Sequence, residues 1–104
     1  MNKIVVFIPE SHKEQVKNAM FKAGAGKLGN YDSCSFEVSG TGQFRPLRDS
    51  KPYLGETDRL ESVSEFRVEM VCPGDKTTEV LSAMREAHPY ETPAFDVIKL
   101  EDCH

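Results

Sequence analysis

Two strand-like runs, each followed by a helix-like run, are the feature that most limits the possible folds of this chain. Residues 3–9 form a continuous apolar run ended by a proline, which predicts a strand buried on both faces. In residues 65–72, apolar and polar side chains alternate, which predicts a strand that ends at Pro73 and Gly74. Apolar residues recur at helical spacing after both runs, so each strand is expected to lead into an amphipathic helix.

The ends of the two helices are predicted from capping and terminating residues. Ser11 and Glu14 have the spacing of a capping box, and Gly24 suits the left-handed residue that ends a helix. Asp75 is the predicted N-cap of the second helix, and Pro89 is predicted to end it. The predicted apolar faces are Val16, Ala19, Met20 and Ala23 on the first helix, and Val80, Leu81, Met84 and Ala87 on the second.

Two more strands complete the predicted order. Alternation in residues 31–38 predicts a strand with Cys34, Phe36 and Val38 on the core side, and residues 94–100 predict the last strand. Between the second and third strands, residues 39–42 are interpreted as a turn, and residues 43–55 as a short edge strand followed by an exposed loop.

This order of elements predicts a fold. Residues 1–104 are expected to form a single α+β domain, a ferredoxin-like βαββαβ sandwich with an extra loop or short hairpin between the second and third core strands. Two helices cover only one face of such a sheet. Leu60, Val71, Ile98 and Leu100 are available for the other face, which predicts self-association.

Composition limits the partners and the location. The chain has 13 basic and 17 acidic residues with no basic stripe, so nucleic acid is not an expected partner. No signal-peptide cleavage site or membrane-length apolar run is present, and we expect a cytoplasmic protein without a membrane partner. Cys34 and Cys72 are interpreted as free, buried cysteines, whereas Cys103 and His104 could join a metal site if the C-terminal tail folds back.

The tetrad His88-Pro89-Tyr90-Glu91 places an imidazole, a phenol and a carboxylate together between the second helix and the last strand. His88 and Glu91 are candidate ligands for zinc or copper, with His12 or Cys34 contributed across space, although such a site normally needs three or four ligands. The alternative is a structural role, in which Tyr90 packs at a subunit boundary and Glu91 pairs with a nearby base.

Residues 24–29 match the dinucleotide-binding pattern G-x-G-x-x-G, but they follow a helix and precede a strand, so a helix end and loop is the better interpretation. A second hypothesis is anion binding by this glycine-rich backbone together with Lys27, Arg45, Arg48 and Lys51. A third is that residues 45–47 and 51–54 dock on another protein.

Several segments together resemble a known family. Residues 24–36, 40–46, 65–69 and 88–96 look like the inserted domain of the YqfO (Nif-three-like, NGG-one-interacting factor three) proteins, and tetrads of the His-Pro-Tyr-Glu type also occur in the CutA family, which is similar in fold. The resemblance implies a stand-alone version of this CutA/PII-like domain, assembled as a trimer with ligand sites between subunits. The larger, metal-binding domain of full-length YqfO proteins has no counterpart here, so their activity is not carried over.

These observations predict a non-catalytic, oligomeric binding or regulatory module whose ligand is a small-molecule anion or a divalent metal ion. No cofactor is certain, and no catalytic residue is assigned. A zinc or copper protein using His88 and a pure protein–protein interaction module are the alternatives. The predicted ligand-binding residues are Gly26, Lys27, Gly29, Asn30, Tyr31, Thr41, Gly42, Arg45, His88, Tyr90 and Glu91.

Overall fold

A computed structural model describes residues 1–101, so the predicted contribution of Cys103 and His104 to a metal site lies outside the described residues. The elements are β1 (Asn2–Pro9), α1 (Lys13–Ala23), β2 (Phe36–Phe44), β3 (Glu61–Cys72), α2 (Thr77–Ala87) and β4 (Phe95–Lys99). The sheet has the order β2-β3-β1-β4, and every neighbouring pair is antiparallel. The predicted ferredoxin-like α+β fold is confirmed, with residues 45–60 as the loop between β2 and β3.

The core lies between the two helices and one face of the sheet. Its buried members come mainly from the central strands and from one stripe of each helix, as the apolar patterns predicted. Each such aliphatic side chain contributes roughly 1.5–3 kcal/mol when it is fully removed from water. The cluster consists of Ile4, Val6, Ile8, Val16, Met20, Ala25, Val68, Met70, Cys72, Val80 and Met84.

Both predicted N-caps are wrong, because a short 3-10 turn precedes each helix. The turn Glu10–His12 leads into α1, and the turn Gly74–Lys76 leads into α2, without a side-chain cap on either helix. Backbone carbonyls of these turns accept the amides of Lys13 and Thr77. The sequence predicted that the side chains of Ser11, Glu14 and Asp75 cap the helices. In the structure, the backbone of the turn before each helix takes this role.

The predicted bounds of the second strand are also wrong. Residues 39–42 are not a turn, because β2 runs unbroken from Phe36 to Phe44 and pairs with β3 along its whole length. The predicted orientation of the strand is wrong as well, because Phe36 and Val38 face away from the core and are 65% and 45% exposed. Glu37 faces the helices instead, where its carboxylate pairs with Lys13 and Lys17 of α1. A shift of one residue in strand register exchanges the two faces, and two lysines at helical spacing set this register.

The loop after α1 is pinned to the far end of β3. Gly24 ends the helix as predicted, with a φ of +126° and its N–H directed to the carbonyls of Met20 and Phe21. The Gly26 N–H then donates to the Val71 carbonyl oxygen over 2.8 Å. A Cβ at Gly26 would lie 2.6 Å from the Phe21 ring, so this position accepts only glycine without rearrangement.

The face of the sheet that the helices leave uncovered, called the bare face here, mixes apolar and charged side chains. Lys3 and Arg67 both lie near the Glu69 carboxylate, at 3.9 and 3.6 Å. Val71 and Ile98 flank Lys3 in the strand register and therefore share this face, as predicted. Ile98 is 45% exposed.

The hairpin of β2 and β3 extends beyond the rest of the sheet. The pairing of β1 with β3 ends at Pro9 and Glu65, whereas β2 and β3 stay paired to Phe44 and Glu61. Residues 41–44 and 61–64 thus form an arm of about 13 Å at 3.4 Å per residue. The arm contributes to an elongated shape of 48 × 24 × 24 Å.

Candidate ligand-binding site

A cavity of about 240 Å³ lies where the arm leaves the sheet, and we call it the base cavity. Three segments enclose it: the ends of β2 and β3, the loop of residues 45–60, and residues 90–94. The Asp58 N–H donates to the Pro46 carbonyl oxygen and closes the loop on itself. The lining residues are Gln43, Phe44, Pro46, Ser50, Pro52, Tyr53, Leu54, Glu65, Tyr90, Glu91, Thr92 and Ala94.

His88 holds the tetrad against β1 from beneath the cavity. The ring is only 6% exposed, and its Nε2 lies 2.7 Å from the Phe7 carbonyl oxygen. Its Nδ1 accepts the Tyr90 N–H at 3.2 Å. These partners assign the neutral tautomer with the proton on Nε2, and burial lowers the pKa of the imidazole below its ordinary value. His88 therefore fixes the backbone position of Tyr90.

Tyr90 carries a buried phenol that lacks a hydrogen-bond partner within residues 1–101. Burial, with the facing carboxylate of Glu65, raises the pKa of this phenol, which stays protonated at neutral pH. The ring centroids of His88 and Tyr53 lie 4.8 and 6.2 Å from that of Tyr90. His12 packs edge-on against Tyr53 at 5.8 Å, so the four rings form one aromatic cluster, of which Tyr53 and Tyr90 line the cavity.

Two carboxylates face the cavity. The Oε1 of Glu91 accepts the backbone N–H of Lys51 at 2.9 Å, which ties the loop to the tetrad. The Glu65 side chain lies directly over Gly42, where a Cβ would come within 2.0 Å of its Oε1. A glycine at position 42 thus leaves the space that this carboxylate occupies.

The residues at the tetrad do not fit a metal ion as they are held. Both nitrogens of His88 are already hydrogen-bonded, and Glu91 is engaged with the loop backbone. His12 lies 2.8 Å from the Ser11 hydroxyl, and Cys34 bonds weakly to the Asp32 carbonyl outside this cavity. Within residues 1–101, no group of three or more His, Cys, Asp or Glu side chains has metal-binding geometry.

The structure divides the predicted ligand-binding residues among three places. Tyr90 and Glu91 line the base cavity, and His88 supports them. Thr41 and Gly42 line a second depression, on the bare face, to which Glu65 also contributes. Arg45 is exposed at the start of the loop.

The remaining predicted residues belong to the glycine-rich loop, which the bond from Gly26 to Val71 fixes at the other end of β3. Val71 is six residues from Glu65, so about 20 Å separates this loop from the base cavity in one chain. The residues concerned are Gly26, Lys27, Gly29, Asn30 and Tyr31.

Glu65, Phe44 and Tyr53 also line the cavity but are absent from the predicted ligand-binding residues. In the sequence, Glu65 is one of the polar residues of the alternating run 65–72, and such positions are usually solvated. Tyr53 has a signal in the sequence, because an exposed tyrosine beside Pro52 suggests a docking segment. Its cavity-lining position follows from loop closure, which sequence patterns do not specify.

Helices of the described part of the chain are too short and too polar to cross a membrane.

Relatives of similar sequence are longer proteins. The chain is 47% identical over 100 residues to the "GTP cyclohydrolase 1 type 2 homolog" of Mycobacterium tuberculosis, and 42% identical over 101 residues to that of Bacillus subtilis. These matches cover 96% and 97% of this chain but 26% and 27% of the relatives. The chain therefore spans about a quarter of the length of the curated relatives it matches. No family model matches it.

Solved structures give the same assignment. The Bacillus cereus protein related to NIF3 is 42% identical with a TM-score of 0.82, over 97% of this chain and 26% of that protein. CutA from Archaeoglobus fulgidus and CutA1 from Pyrococcus horikoshii have TM-scores of 0.68 and 0.72 at 20% and 17% identity. The match spans 99% and 100% of this chain, and 86% and 87% of theirs, so the CutA proteins share its fold.

Proposed function

Since this chain belongs to the NIF3-related (YqfO) family and matches its CutA-like inserted domain, we propose that it is a non-catalytic binding module. The module binds a small ligand in the base cavity and assembles with copies of itself. Residues 1–104 act as one ferredoxin-like domain in this proposal. The activity named for the longer relatives is not proposed, because the matched segment is only about a quarter of their length.

The observation that carries the proposal is the hydroxyl of Tyr90 beside the cavity, which is buried and lacks a hydrogen-bond partner within residues 1–101. A buried polar group without a partner costs about 1–3 kcal/mol, and a ligand that hydrogen-bonds to it recovers that cost. Around it the cavity combines apolar walls with a few polar groups, which is the usual composition of a small-molecule site.

Self-assembly is proposed from the bare face. Phe36, Val38 and Ile98 are all at least 45% exposed there, beside the charges of Arg67 and Glu69. A trimer covers these side chains. Cys34 and Cys72 form no disulfide within residues 1–101, which supports a reducing, cytoplasmic location.

A ligand-observed NMR screen of a fragment library tests the binding proposal. Thr92→Trp places an indole at the cavity rim, where Thr92 is exposed, and Ser82→Trp adds the same bulk on the exposed side of α2 as a control. We expect a set of fragments that bind the wild type and the control but not Thr92→Trp. A screen in which no fragment depends on position 92 refutes the base cavity as the ligand site and favours the pure interaction module.

Native mass spectrometry tests assembly and the metal alternative together. We expect trimers that carry no metal, with or without chelator treatment. A monomer at high protein concentration refutes the assembly proposal. A retained zinc or copper ion that is lost in His88→Ala refutes our assignment of His88 and restores the metal-binding alternative.

A further inference from the structure

The charge of the base cavity is one-sided. Glu65 and Glu91 are the charged side chains of its lining, and Lys51 contributes a backbone N–H rather than its ammonium group. Glu65 forms no ion pair with any other side chain in residues 1–101, whereas Glu69 on the same strand has two basic neighbours. A carboxylate that faces a cavity without its own cation repels anions and attracts cations.

The walls favour a cation of organic type. Phe44, Tyr53 and Tyr90 present aromatic rings, and Pro46 and Leu54 add apolar surface. Aromatic faces attract cations through the ring quadrupole, and the attraction strengthens where water is excluded. Such walls do not replace the water shell of a small inorganic ion, but they pack well against carbon-bearing ammonium or guanidinium groups.

The phenol of Tyr90 adds a preference for N–H donors. Its buried oxygen lacks a hydrogen bond within the described chain, and the facing Glu65 carboxylate attracts the phenol O–H, which leaves the lone pairs of the oxygen for a donor. One N–H group placed between them satisfies the phenol oxygen and forms a charge-assisted bond with the carboxylate. A quaternary ammonium ion has no N–H and leaves the phenol oxygen unsatisfied.

We propose that the base cavity selects organic cations that carry N–H donors, as alkylammonium or guanidinium groups do, with Glu65 as the charge partner and Tyr90 as the hydrogen-bond acceptor. This inference rests on the proposed function, because it takes the base cavity to be the ligand site. The cation enters either as a free small amine or as the side chain of a lysine or arginine in another protein.

Four probes of similar size separate charge from shape: butylguanidinium, butylammonium, the neutral butylurea and the anionic butyrate. NMR titration follows the ring signals of Tyr53 and Tyr90. We expect both cations to bind at least about 10-fold more tightly than butylurea, because a hydrogen bond to a charged group is the stronger kind. We expect butyrate not to bind. Tetramethylammonium should bind more weakly than butylammonium, since it donates no hydrogen bond.

Three variants assign the charge partner. Glu65→Gln should weaken butylguanidinium binding by about 10- to 100-fold. Glu61→Gln lies on the same strand outside the cavity lining and should leave binding unchanged. Gly42→Ala keeps both carboxylates but displaces the end of the Glu65 side chain, so it should also weaken binding.

The outcomes separate this inference from the proposed function. Butylurea binding as tightly as butylguanidinium, or Glu65→Gln binding as well as Glu61→Gln, overturns the cation preference and leaves the cavity as a ligand site. A failure of every probe to bind also overturns the inference, while the fragment screen judges the site by itself. Comparing butylguanidinium with a blocked arginine, N-acetylarginine N-methylamide, identifies the source: tighter binding of the blocked arginine points to a protein side chain.

Discussion

His88 is the residue whose replacement best tests the structural account of the tetrad. His88→Ala removes the Nε2 donor to the Phe7 carbonyl and the Nδ1 acceptor of the Tyr90 N–H. A buried carbonyl without a partner costs about 1–3 kcal/mol, and loss of the packed ring adds to this. We expect a destabilisation of about 2–4 kcal/mol, which lowers the Tm of a chain of this size by about 10–25 °C.

Two conservative variants divide this cost between the ring nitrogens. His88→Gln places an amide N–H near the position of Nε2, and His88→Asn places a carbonyl oxygen near the position of Nδ1. The bond to Phe7 is the shorter of the two, 2.7 against 3.2 Å. We therefore expect His88→Gln to retain more stability than His88→Asn, measured by urea unfolding at a fixed protein concentration.

Acidification provides an independent check. The folded pKa of His88 lies below its ordinary value of 6.5 because burial disfavours the charged imidazole. The unfolded chain then binds the proton more readily, so the contribution of His88 is complete above pH 6.5 and is lost as the pH falls below it. The free energy of unfolding then decreases by at most about 1.4 kcal/mol for each pH unit. The pKa of Glu37 is lowered from its ordinary value of 4.5, so protonation of Glu37 affects stability only below pH 4.5, outside the range in which His88 titrates.

The decrease in the free energy of unfolding between pH 6.5 and 5 should therefore be smaller in His88→Gln than in the wild type. Equal decreases, or a His88→Ala variant within 0.5 kcal/mol of wild type on the scale of neutral surface substitutions, refute the two-bond geometry. In that case the imidazole is free, and metal binding by His88 has to be reconsidered.

Three other predictions concern the supports of the fold. Gly26→Ala should cost about 2–5 kcal/mol in urea unfolding, because it combines a positive φ with a clash against an aromatic ring, whereas Gly29→Ala, with a positive φ in open space, should cost about 1–2. Glu37→Gln should lower the Tm more at 50 mM than at 1 M NaCl, since its two lysine partners are screened by salt; an equal loss at both concentrations would contradict the pairing. Iodoacetamide should label Cys34 well before Cys72, because burial raises the pKa of the Cys72 thiol and hides it; peptide mass mapping reads the order, and equal rates would contradict the burial.

The sequence predicted the elements that repeat a simple hydrophobic period. The β1 run and the helix stripes around Met20 and Met84 lie where the periods placed them, because a helix or strand buried on one side must show its apolar side chains at that period. The helix end at Gly24 was also predicted correctly, since a left-handed backbone favours glycine.

The misses come from interactions between segments distant in sequence. The two glycines of β2 looked like a turn, yet the ladder with β3 carries the strand through them. Phe36 faces away from the core because Glu37 pairs with two lysines on α1, a contact that no local pattern displays. The base cavity was missed for the same reason, as Glu65 and Tyr53 meet only after the loop closes.

The position of the base cavity at the root of the arm has a consequence for evolution. One side of the cavity belongs to the sheet and the tetrad, which His88 ties to the core. The other side belongs to the loop of residues 45–60, which contributes no member to the core cluster. Related proteins can therefore change their ligand specificity by substitutions in this loop alone, while the tetrad side of the cavity stays the same. The arm supplies Gln43 and Phe44 to the lining, so a displacement of the arm relative to the sheet would change the shape of the cavity.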